Sequence, residues 1–415
     1  MKDKLRDSAL HVLDAGMDPF VLDVWRTGTE RQWATLLRWL DESGLALYFL
    51  ARVRELGAAA HLPLSMLDAL ESRQYENRQR AAAASSELVR AYRALTMAGV
   101  DFLLLKGFSL VPAACPDPAL RHQLDIDLMI ESRQASQALG ALVTLGYDLV
   151  AVSRDTWELK TPSSELPSRK DMYKVHSQRS LELHLVTTAA FAQMRAEGEL
   201  ITIEGTCIPV LSAVSRLFGQ AEHIAAHMMS EWIRSSWLLE FRNVVHFHAE
   251  DDLFWEVAKT YRNRDVQLLY FLGTATAITR TLFPSFPEIP LLRAAEAALP
   301  QAQQHWIAEY GRKAMMASFP GTKLYLLQPA TTRQFRRRRL LPLRLPPSPV
   351  VASDRTPAAR WRGLRTFCAY AVARAVFHLR EGARFLWEAQ QWRRSSARTL
   401  RASAGTAPDQ IQVIL

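Results

Sequence analysis

The chain has 415 residues, of which 49% are hydrophobic and 22% are charged, an ordinary composition for a globular protein. This length suffices for two or three domains. Three widely spaced cysteines, Cys115, Cys207 and Cys368, argue against a disulfide framework and a zinc site. The sequence contains no run of about 18 apolar residues, so no membrane span is predicted. The charged first residues do not resemble a signal peptide, so we expect a cytoplasmic protein.

The positive charge is concentrated at one end of the chain. Residues 331–415 contain 17 Arg, no Lys and four acidic residues, a net charge of +13. Since the whole chain has a formal net charge of +9, residues 1–330 carry −4. We therefore expect only the C-terminal segment to be basic, and only this segment to attract acidic partners.

Residues 1–98 are predicted to form an N-terminal helical subdomain. Apolar residues recur there at helical spacing, for example around Trp33, Leu40 and Val53. A long helix over 75–97 then leads into the next segment. We interpret this region as a scaffold that packs against the rest of the protein.

Residues 99–211 are predicted to form an α/β core. A helix over 133–145 is expected to end at Gly146, and a short helix is expected to begin at Ser109. A polar segment over 161–171 predicts a loop. Short apolar runs predict strands over 102–105, 124–130, 147–152, 157–160, 173–175 and 181–186, and a hairpin over 201–203 and 207–210.

Three further segments complete the chain. Residues 212–327 are predicted to form a second helical subdomain, with helices over 214–230, 232–246 and 306–316. Residues 328–357 are predicted to form a linker rich in Pro and Arg. Residues 358–415 are predicted to form a basic helix and tail, in which one apolar seam comprises Ala369, Val372, Val376, Leu379, Ala383 and Leu386.

Two carboxylates are predicted to share one face of the strand over 124–130. Asp125 and Asp127 alternate with apolar residues, and side chains two residues apart point to the same side of a strand. Their repulsion calls for a counter-charge, for which two divalent cations such as Mg²⁺ are well suited. Without metal, the repulsion is expected to raise at least one pKa. Upstream, the turn Lys106-Gly107 follows a strand, where glycine lets the backbone approach a phosphate.

These residues resemble the nucleotidyltransferase superfamily with the polymerase-β-like fold, and within it a bacterial branch of uncharacterised nucleotidyltransferases. The resemblance spans roughly residues 30–330. It implies an α+β fold, in which a small mixed β-sheet is flanked by N-terminal and C-terminal helical subdomains. In one departure, Lys106-Gly107-Phe108 replaces the Gly-Ser turn of the superfamily. The matching motifs are Leu105-Lys106-Gly107, Arg121, Asp125-Ile126-Asp127-Leu128 and Glu182-Leu183-His184.

The resemblance also implies an activity and its residues. The reaction would move a nucleoside monophosphate from a nucleoside triphosphate, ATP by analogy, onto an acceptor hydroxyl. Asp125, Asp127 and Glu182 are then the catalytic residues and the ligands of two Mg²⁺ ions, and Glu182 also accepts the hydroxyl proton. Nucleotide contacts are expected from Lys106, Gly107, Ser109, Arg121, His184, His227, Arg234 and Glu240.

Several alternatives stay open at this point. Arg121 pairs with phosphate or with an acid such as Asp117. The i, i+4 pair His223 and His227 either closes over a nucleotide or simply packs between helices. The acceptor is a small molecule, a peptide or a protein.

Other functions and partners also stay open. One alternative is a non-catalytic nucleotide- or partner-binding protein that retains the fold, and another is an RNA-acting transferase. The Arg-rich tail suggests contact with RNA, an acidic protein or an anionic surface. The simplest alternative for the tail is an accessory helix docked on the body.

Overall fold

The computed structural model describes residues 2–153, 155–163, 172–176, 178–328 and 357–404. Almost all of the predicted linker, part of the predicted loop over 161–171, and the end of the predicted tail therefore lie outside the described residues. The fold is α+β, as the sequence predicts, because helices precede and follow a mixed β-sheet. The three cysteines are free thiols.

Five helices form the N-terminal part. Local signals explain their ends: Asp18 Oδ1 accepts a hydrogen bond from the backbone N–H of Val21 at the start of the second helix. Gly44 ends the third with a φ of +75°. The helices are α1 (Lys2–Asp14), α2 (Pro19–Arg26), α3 (Glu30–Ser43), α4 (Ala46–Glu55) and α5 (Leu64–Met97).

A seven-stranded mixed sheet comes next, with two helices, α6 (Ala135–Val143) and α7 (Thr188–Ala196). The strand order is β3-β4-β5-β2-β1-β7-β6, and the central strand β2 is antiparallel to β1 and parallel to β5. The strands are β1 (Phe102–Leu105), β2 (Ile126–Glu131), β3 (Asp148–Val152), β4 (Thr156–Lys160), β5 (Ser180–Val186), β6 (Glu199–Ile203) and β7 (Thr206–Val210).

Two of the predicted elements are wrong. The segment over 173–175 forms a turn and not a strand, because Tyr173 is held by tertiary contacts. Its ring packs edge-on against His122, and its hydroxyl donates to Asp41 Oδ1 at 3.0 Å. The helix expected from Ser109 is a single 3₁₀ turn, Gly107–Leu110, which fits the nearby proline-rich stretch, where helices seldom continue.

Seven helices come after the sheet, and one long helix ends the described chain. A π-helical turn, Ile307–Gly311, joins two of them. No described helix is long and apolar enough to cross a bilayer. The helices are α8 (Ala213–Met228), α9 (Ser235–Phe247), α10 (Asp252–Tyr261), α11 (Val266–Leu282), α12 (Pro290–Ala297), α13 (Gln301–Trp306), α14 (Arg312–Met315) and α15 (Pro357–Ala404).

The apolar side chains form two cores. The smaller core lies between the sheet and helices α5 and α6. The larger core is shared by α1–α4 and the helices after the sheet, so the first and third predicted segments pack together. For example, Trp39 Nε1 donates to the carbonyl oxygen of Met316 at 3.2 Å, and Arg242 Nε lies 3.2 Å from Asp14 Oδ1. The packing of α1–α4 against the later helices places α8 and α9 over one face of the sheet.

Candidate active site

Three side chains of types that can bind a metal ion come together on the central strands. Asp127 on β2 lies opposite Glu182 on the parallel strand β5, and residues in register on adjacent strands point to the same face. His184 follows Glu182 by two residues and shares that face. One ligand atom from each of the three side chains lies within 4.8 Å of the others. The sheet thus joins two carboxylates that are far apart in sequence and adds an imidazole to them.

Asp127 is held between two basic side chains. Its Oδ1 atom lies 2.9 Å from Lys106 Nζ and 2.9 Å from His184 Nε2, and the residue is 4% exposed. Burial alone would raise the pKa of Asp127, but the hydrogen bonds and charges of His184 and Lys106 lower this pKa to about 2. Lys106 therefore supplies part of the counter-charge that the sequence analysis assigned to metal ions alone.

The pKa values of the other two carboxylates, Asp125 and Glu182, shift in the opposite direction to that of Asp127. Burial and the charge of Asp127 raise the pKa of Asp125. Burial, followed by Asp127 and Asp125, raises the pKa of Glu182. The expectation that mutual repulsion raises at least one pKa in the metal-free protein is confirmed.

Asp125 lies just before β2 and not on it. The side-chain amide of Gln123 donates to the carbonyl oxygen of Asp125 at 2.9 Å, where strand pairing has not yet begun. Asp125 lines a cleft of about 250 Å³ together with Arg80. The structure therefore does not place Asp125 in the group of three ligand atoms, although its charge still acts on Asp127 and Glu182.

The turn after β1 places Lys106 beside Asp127. Lys106 and Gly107 have φ angles of +46° and +47°, a region that only glycine adopts readily. A Cβ atom on Gly107 would lie 2.7 Å from Cδ of Gln123, so the end of that side chain would have to move, and the positive φ itself favours glycine. Only one 3₁₀ turn, Gly107–Leu110, follows this turn, so the backbone here does not lead into an α-helix.

Replacing Gly107 by Ala is expected to destabilise the protein by about 1–3 kcal/mol, because the positive φ and the Gln123 contact both oppose a side chain. Urea unfolding followed by circular dichroism measures this change. Gly140, on α6, has an ordinary φ and open space at its Cβ position, so Gly140→Ala should stabilise by up to about 1 kcal/mol. Equal effects of the two changes would contradict the strained turn.

A cavity of about 410 Å³ adjoins His184, one of the three side chains that can bind a metal ion, and Lys106, the partner of Asp127. Its lining includes Leu105 and Met129 of the sheet and residues of α8 and α9. Predicted nucleotide contacts that line it are Lys106, Ser109, Arg121, His184 and Glu240. The remaining predicted contacts, which do not line it, are Gly107, His227 and Arg234.

Two of the lining side chains have polar atoms that lack hydrogen-bond partners among the described residues. These atoms are Ser109 Oγ and both amide atoms of Gln220. Ser109 is 1% exposed. A buried polar atom without a partner costs about 1–3 kcal/mol, so these atoms favour a ligand with polar groups in the cavity.

An aromatic cluster supports the α8 side of the cavity. The ring centroids of His223 and His227 lie 4.4 Å apart, and the Trp237 ring lies 4.4 Å from the first and 4.7 Å from the second. Burial, followed by the neighbouring His227, lowers the pKa of His223 to about 3. Burial also lowers the pKa of His227. These shifts favour the neutral form of both rings, which lie tilted against each other at 60°.

His223 should make folding stability depend on pH. Its unfolded pKa is about 6.5 and its folded pKa about 3, so between these values the unfolded chain binds a proton that the folded protein does not. Stability should therefore fall as pH decreases from 6.5, by at most about 1.4 kcal/mol per pH unit for this group. His223→Phe should reduce the slope of unfolding free energy between pH 7 and pH 4.5. An unchanged slope would contradict a neutral, buried His223.

Arg121 and Glu240 form a buried ion pair in the cavity wall. Arg121 Nε donates to Glu240 Oε1 at 3.1 Å, and the Tyr48 hydroxyl donates to the same oxygen at 2.9 Å. The acid beside Arg121 is thus on α9 and is not Asp117, which accepts a hydrogen bond from the backbone N–H of Ala119. Both members of the pair were predicted to contact nucleotide, and here each is already paired.

Arg234 is a half-buried cation that forms no ion pair with a carboxylate among the described residues. Its Nη1 atom donates to the carbonyl oxygen of His122 at 3.4 Å, and its guanidinium lies 5.3 Å from the Trp232 ring centroid. Burial, followed by the charge of Arg121, lowers the pKa of Arg234. Such a cation favours an anionic ligand nearby.

Two residues at the site, Arg80 and Gln220, were not predicted from the sequence. Arg80 on α5 donates to the carbonyl oxygen of Gln123 at 3.0 Å, and burial followed by Arg234 lowers its pKa to about 10. It is one of many arginines in a long helix, and nothing in its spacing distinguishes it. Gln220 lies one helical turn before His223, so the i, i+3 relation to the predicted histidine pair was an available signal.

Comparisons with known proteins identify the family of this chain. No curated protein matches the sequence. Among solved structures, an antigenic nucleotidyltransferase-like protein from Paracoccidioides brasiliensis is similar over 46% of this chain and 90% of its own, with 12% identity and a TM-score of 0.28. Residues 29–284, more than half of the chain, match the family described as uncharacterised nucleotidyltransferase. The chain therefore belongs to the uncharacterised nucleotidyltransferase family.

Proposed function

We propose that this protein transfers a nucleoside monophosphate from a nucleoside triphosphate to an acceptor hydroxyl. The observation that carries the proposal is the convergence of Asp127, Glu182 and His184 within 4.8 Å, with His184 in the wall of a 410 Å³ cavity. Family membership supports the same reaction class. The nucleotide to test first is ATP, as the family resemblance implies.

The three side chains fit a divalent cation. Atoms bound to one ion at about 2.0–2.6 Å lie within about 5 Å of each other, as these do. Mg²⁺ prefers oxygen ligands, whereas an imidazole nitrogen such as that of His184 also suits Mn²⁺. A bound cation would stabilise negative charge on the phosphate oxygens. The proposal assigns one ion to this group, and a second ion would require Asp125.

Glu182 is the proposed base of the reaction. Its raised pKa brings the carboxylate closer to the pH at which it can accept a proton from the attacking hydroxyl. The hydroxyl oxygen forms a bond to the α-phosphorus, the proton passes to the Glu182 carboxylate, and pyrophosphate leaves. Asp127 stays ionised and holds Lys106 and His184 in place.

The cavity is the proposed nucleotide site. Lys106 contacts the phosphates from its turn, and Ser109 Oγ and the Gln220 amide bind polar groups of the nucleotide. Arg234 provides a further positive charge for the phosphates. Arg121 and Glu240 shape the wall as a pair, and the neighbouring ring of His227, tilted against His223, positions His223 at the lining.

One observation favours a second candidate, a nucleotide-binding protein without transferase activity. The Lys106 Nζ atom lies 2.9 Å from Asp127 Oδ1, so an ammonium group supplies positive charge where a cation would bind. An RNA-acting transferase remains the third candidate, and a comparison of acceptors separates it from the first.

The decisive experiment is incubation with each α-³²P-labelled nucleoside triphosphate, with Mg²⁺ or Mn²⁺, and with hydroxyl acceptors of four kinds: sugars, Ser/Thr/Tyr peptides, RNA 3′ ends and the protein itself. Mass spectrometry should find an acceptor whose mass increases by one nucleoside monophosphate. Label that joins only RNA would favour the third candidate. Nucleotide binding without any labelled product would favour the second.

Lys106→Ala is expected to weaken triphosphate binding by about 1–3 kcal/mol, the usual loss when a charged hydrogen bond is removed. Calorimetry with a non-hydrolysable ATP analogue measures this. Lys160→Ala is the matched control, because Lys160 lies on β4 of the same sheet and is paired with Glu158. Unchanged affinity in a folded Lys106→Ala protein would limit Lys106 to pairing with Asp127.

A further inference from the structure

The last described helix, α15, has one face packed on the body of the protein. Phe377, Glu381 and Trp392 are 5%, 4% and 8% exposed. Glu381 Oε2 accepts a hydrogen bond from Thr322 Oγ1 at 3.0 Å, and the Trp392 ring stacks on His305 with centroids 4.9 Å apart. Direct contacts thus position this helix, and it is the docked accessory helix of the sequence analysis.

The opposite face of α15 is apolar and exposed. We call it the outer seam, and it is the seam that the sequence predicts. Its large residues are 58–75% exposed, and their spacing of three and four residues places them on one side of the helix, away from Phe377 and Glu381. Trp361 and Trp387 are 69% and 59% exposed near its two ends. The outer seam comprises Val372, Val376, Leu379, Ala383 and Leu386.

The charges of α15 are divided between these two faces. The helix sequence contains ten Arg, no Lys and two acidic residues. Both acids, Glu381 and Glu388, are turned inward, at 4% and 8% exposed. Arginines flank the seam, and Arg380 has 76% of its side chain exposed, with its guanidinium 3.7 Å from the inward-facing Glu381. Among the described side chains of α15, the outward surface is therefore apolar and cationic.

The combination of apolar residues and arginines on this surface distinguishes between three candidate partners for the outer seam: a second copy of the chain, RNA and a lipid surface. A second copy would bring two arginine-rich surfaces together without opposing acids from this helix, and like charges repel. An RNA strand would be attracted by the arginines, but it leaves aliphatic Val and Leu side chains without a partner. A lipid surface with anionic headgroups satisfies both the aliphatic side chains and the arginines.

We propose that the outer seam of α15 lies on a lipid surface that carries anionic headgroups. The aliphatic side chains enter the boundary between headgroups and acyl chains, the arginines contact the headgroup phosphates, and Trp361 and Trp387 sit at the interface, where aromatic rings are enriched. The docked face keeps the body of the protein, with its cavity, attached to that surface.

Vesicle sedimentation with the full chain tests this proposal. The probes are vesicles of phosphatidylcholine alone and vesicles in which about 30% of the lipid is replaced by phosphatidylglycerol. We expect binding to the anionic vesicles that is at least about ten-fold stronger than to the neutral ones and that weakens with added salt. Equal binding to both, or none to either, would overturn the proposal.

Substitutions then locate the contact. Val376→Asp with Leu379→Asp should reduce vesicle binding at least ten-fold, while Leu253→Asp, at an equally exposed leucine on α10, should not. Arg380→Gln with Arg384→Gln should reduce it about 25-fold, about five-fold for each of the two charges. Circular dichroism verifies folding of each variant. Vesicle binding that is unaffected by both pairs of changes would overturn the assignment to α15.

Two further measurements address the other occupants. Analytical ultracentrifugation without lipid would show a dimer that the Val376→Asp, Leu379→Asp protein lacks if the seam binds a second copy. Single-stranded RNA that binds more tightly than the anionic vesicles, and competes with them, would identify a nucleic-acid surface. Either result would overturn the lipid proposal, whereas a monomer that binds anionic vesicles in preference to RNA supports it.

Discussion

Replacing Asp127 by Asn should reduce nucleotidyl transfer by about 10³-fold, the upper end of the loss seen when one electrostatic contact to a transition state is removed. Asn keeps the size of Asp127 but removes the charge that Lys106 and His184 contact. Single-turnover transfer of labelled nucleotide measures the rate. Asp148→Asn, at an exposed carboxylate on β3 of the same sheet, is the control. Wild-type transfer by the Asp127→Asn protein would refute the proposed site.

The same substitution should also lower stability, by about 1–3 kcal/mol at neutral pH. The sequence alone suggests the opposite sign, because two neighbouring carboxylates repel. The structure reverses this expectation, since Asp127 is ionised between Lys106 and His184 and its pKa is lowered to about 2. The stabilisation is present above pH 3.8 and is lost as pH falls towards 2. Urea unfolding at pH 7 and pH 3 should therefore show the difference shrinking in acid.

Glu240→Ala is expected to destabilise the protein by about 3–5 kcal/mol, the cost of leaving a buried charge without its partner. Arg121 would remain in the cavity wall with its counter-ion removed, and the Tyr48 hydroxyl would lose its acceptor. Chemical unfolding measures the change. Since Glu240 is 3% exposed and Arg121 has 17% of its side chain exposed, solvent can compensate only little.

Glu256→Ala is the matched control for this prediction. Glu256 is an exposed glutamate on α10 whose partner, Lys259, is one turn away. Surface pairs of this kind contribute about 0–1 kcal/mol. If Glu240→Ala and Glu256→Ala destabilise equally, water reaches the Arg121–Glu240 pair. The double variant Arg121→Met, Glu240→Ala should recover part of the loss, because it removes the unpaired charge as well.

Short-range patterns predicted much of the sheet and its central strands. The alternation around Asp127 and the apolar run before Lys106 each identify a strand, because the period of two is a local property. The pairing of Asp127 with Glu182 follows once their strands are adjacent. Asp125 was predicted to lie on this strand, but it lies one residue before the strand begins. Its carbonyl oxygen accepts a hydrogen bond from the Gln123 side-chain amide, a contact that the alternation of residues does not reveal.

Long-range contacts could not be predicted in the same way. Arg121 and Glu240 are separated by 119 residues, and no spacing rule connects them. The position of Lys106 beside Asp127 depends on two consecutive positive φ angles, of which only the one at Gly107 has a sequence signal. His184 was expected to bind the nucleotide, and its register on β5 also places it within 4.8 Å of the carboxylates of Asp127 and Glu182.

The core that α1–α4 share with the later helices sets an order of events during synthesis. The ribosome synthesises α1–α4 well before α8–α14. Apolar side chains such as Trp39 therefore remain without their core partners from the later helices during this time. At about 5–20 residues per second, this wait is on the order of tens of seconds. The sheet with α5 and α6 has its own core and can form in the interval. The nascent chain is therefore most exposed to aggregation before its final helices emerge and close the structure.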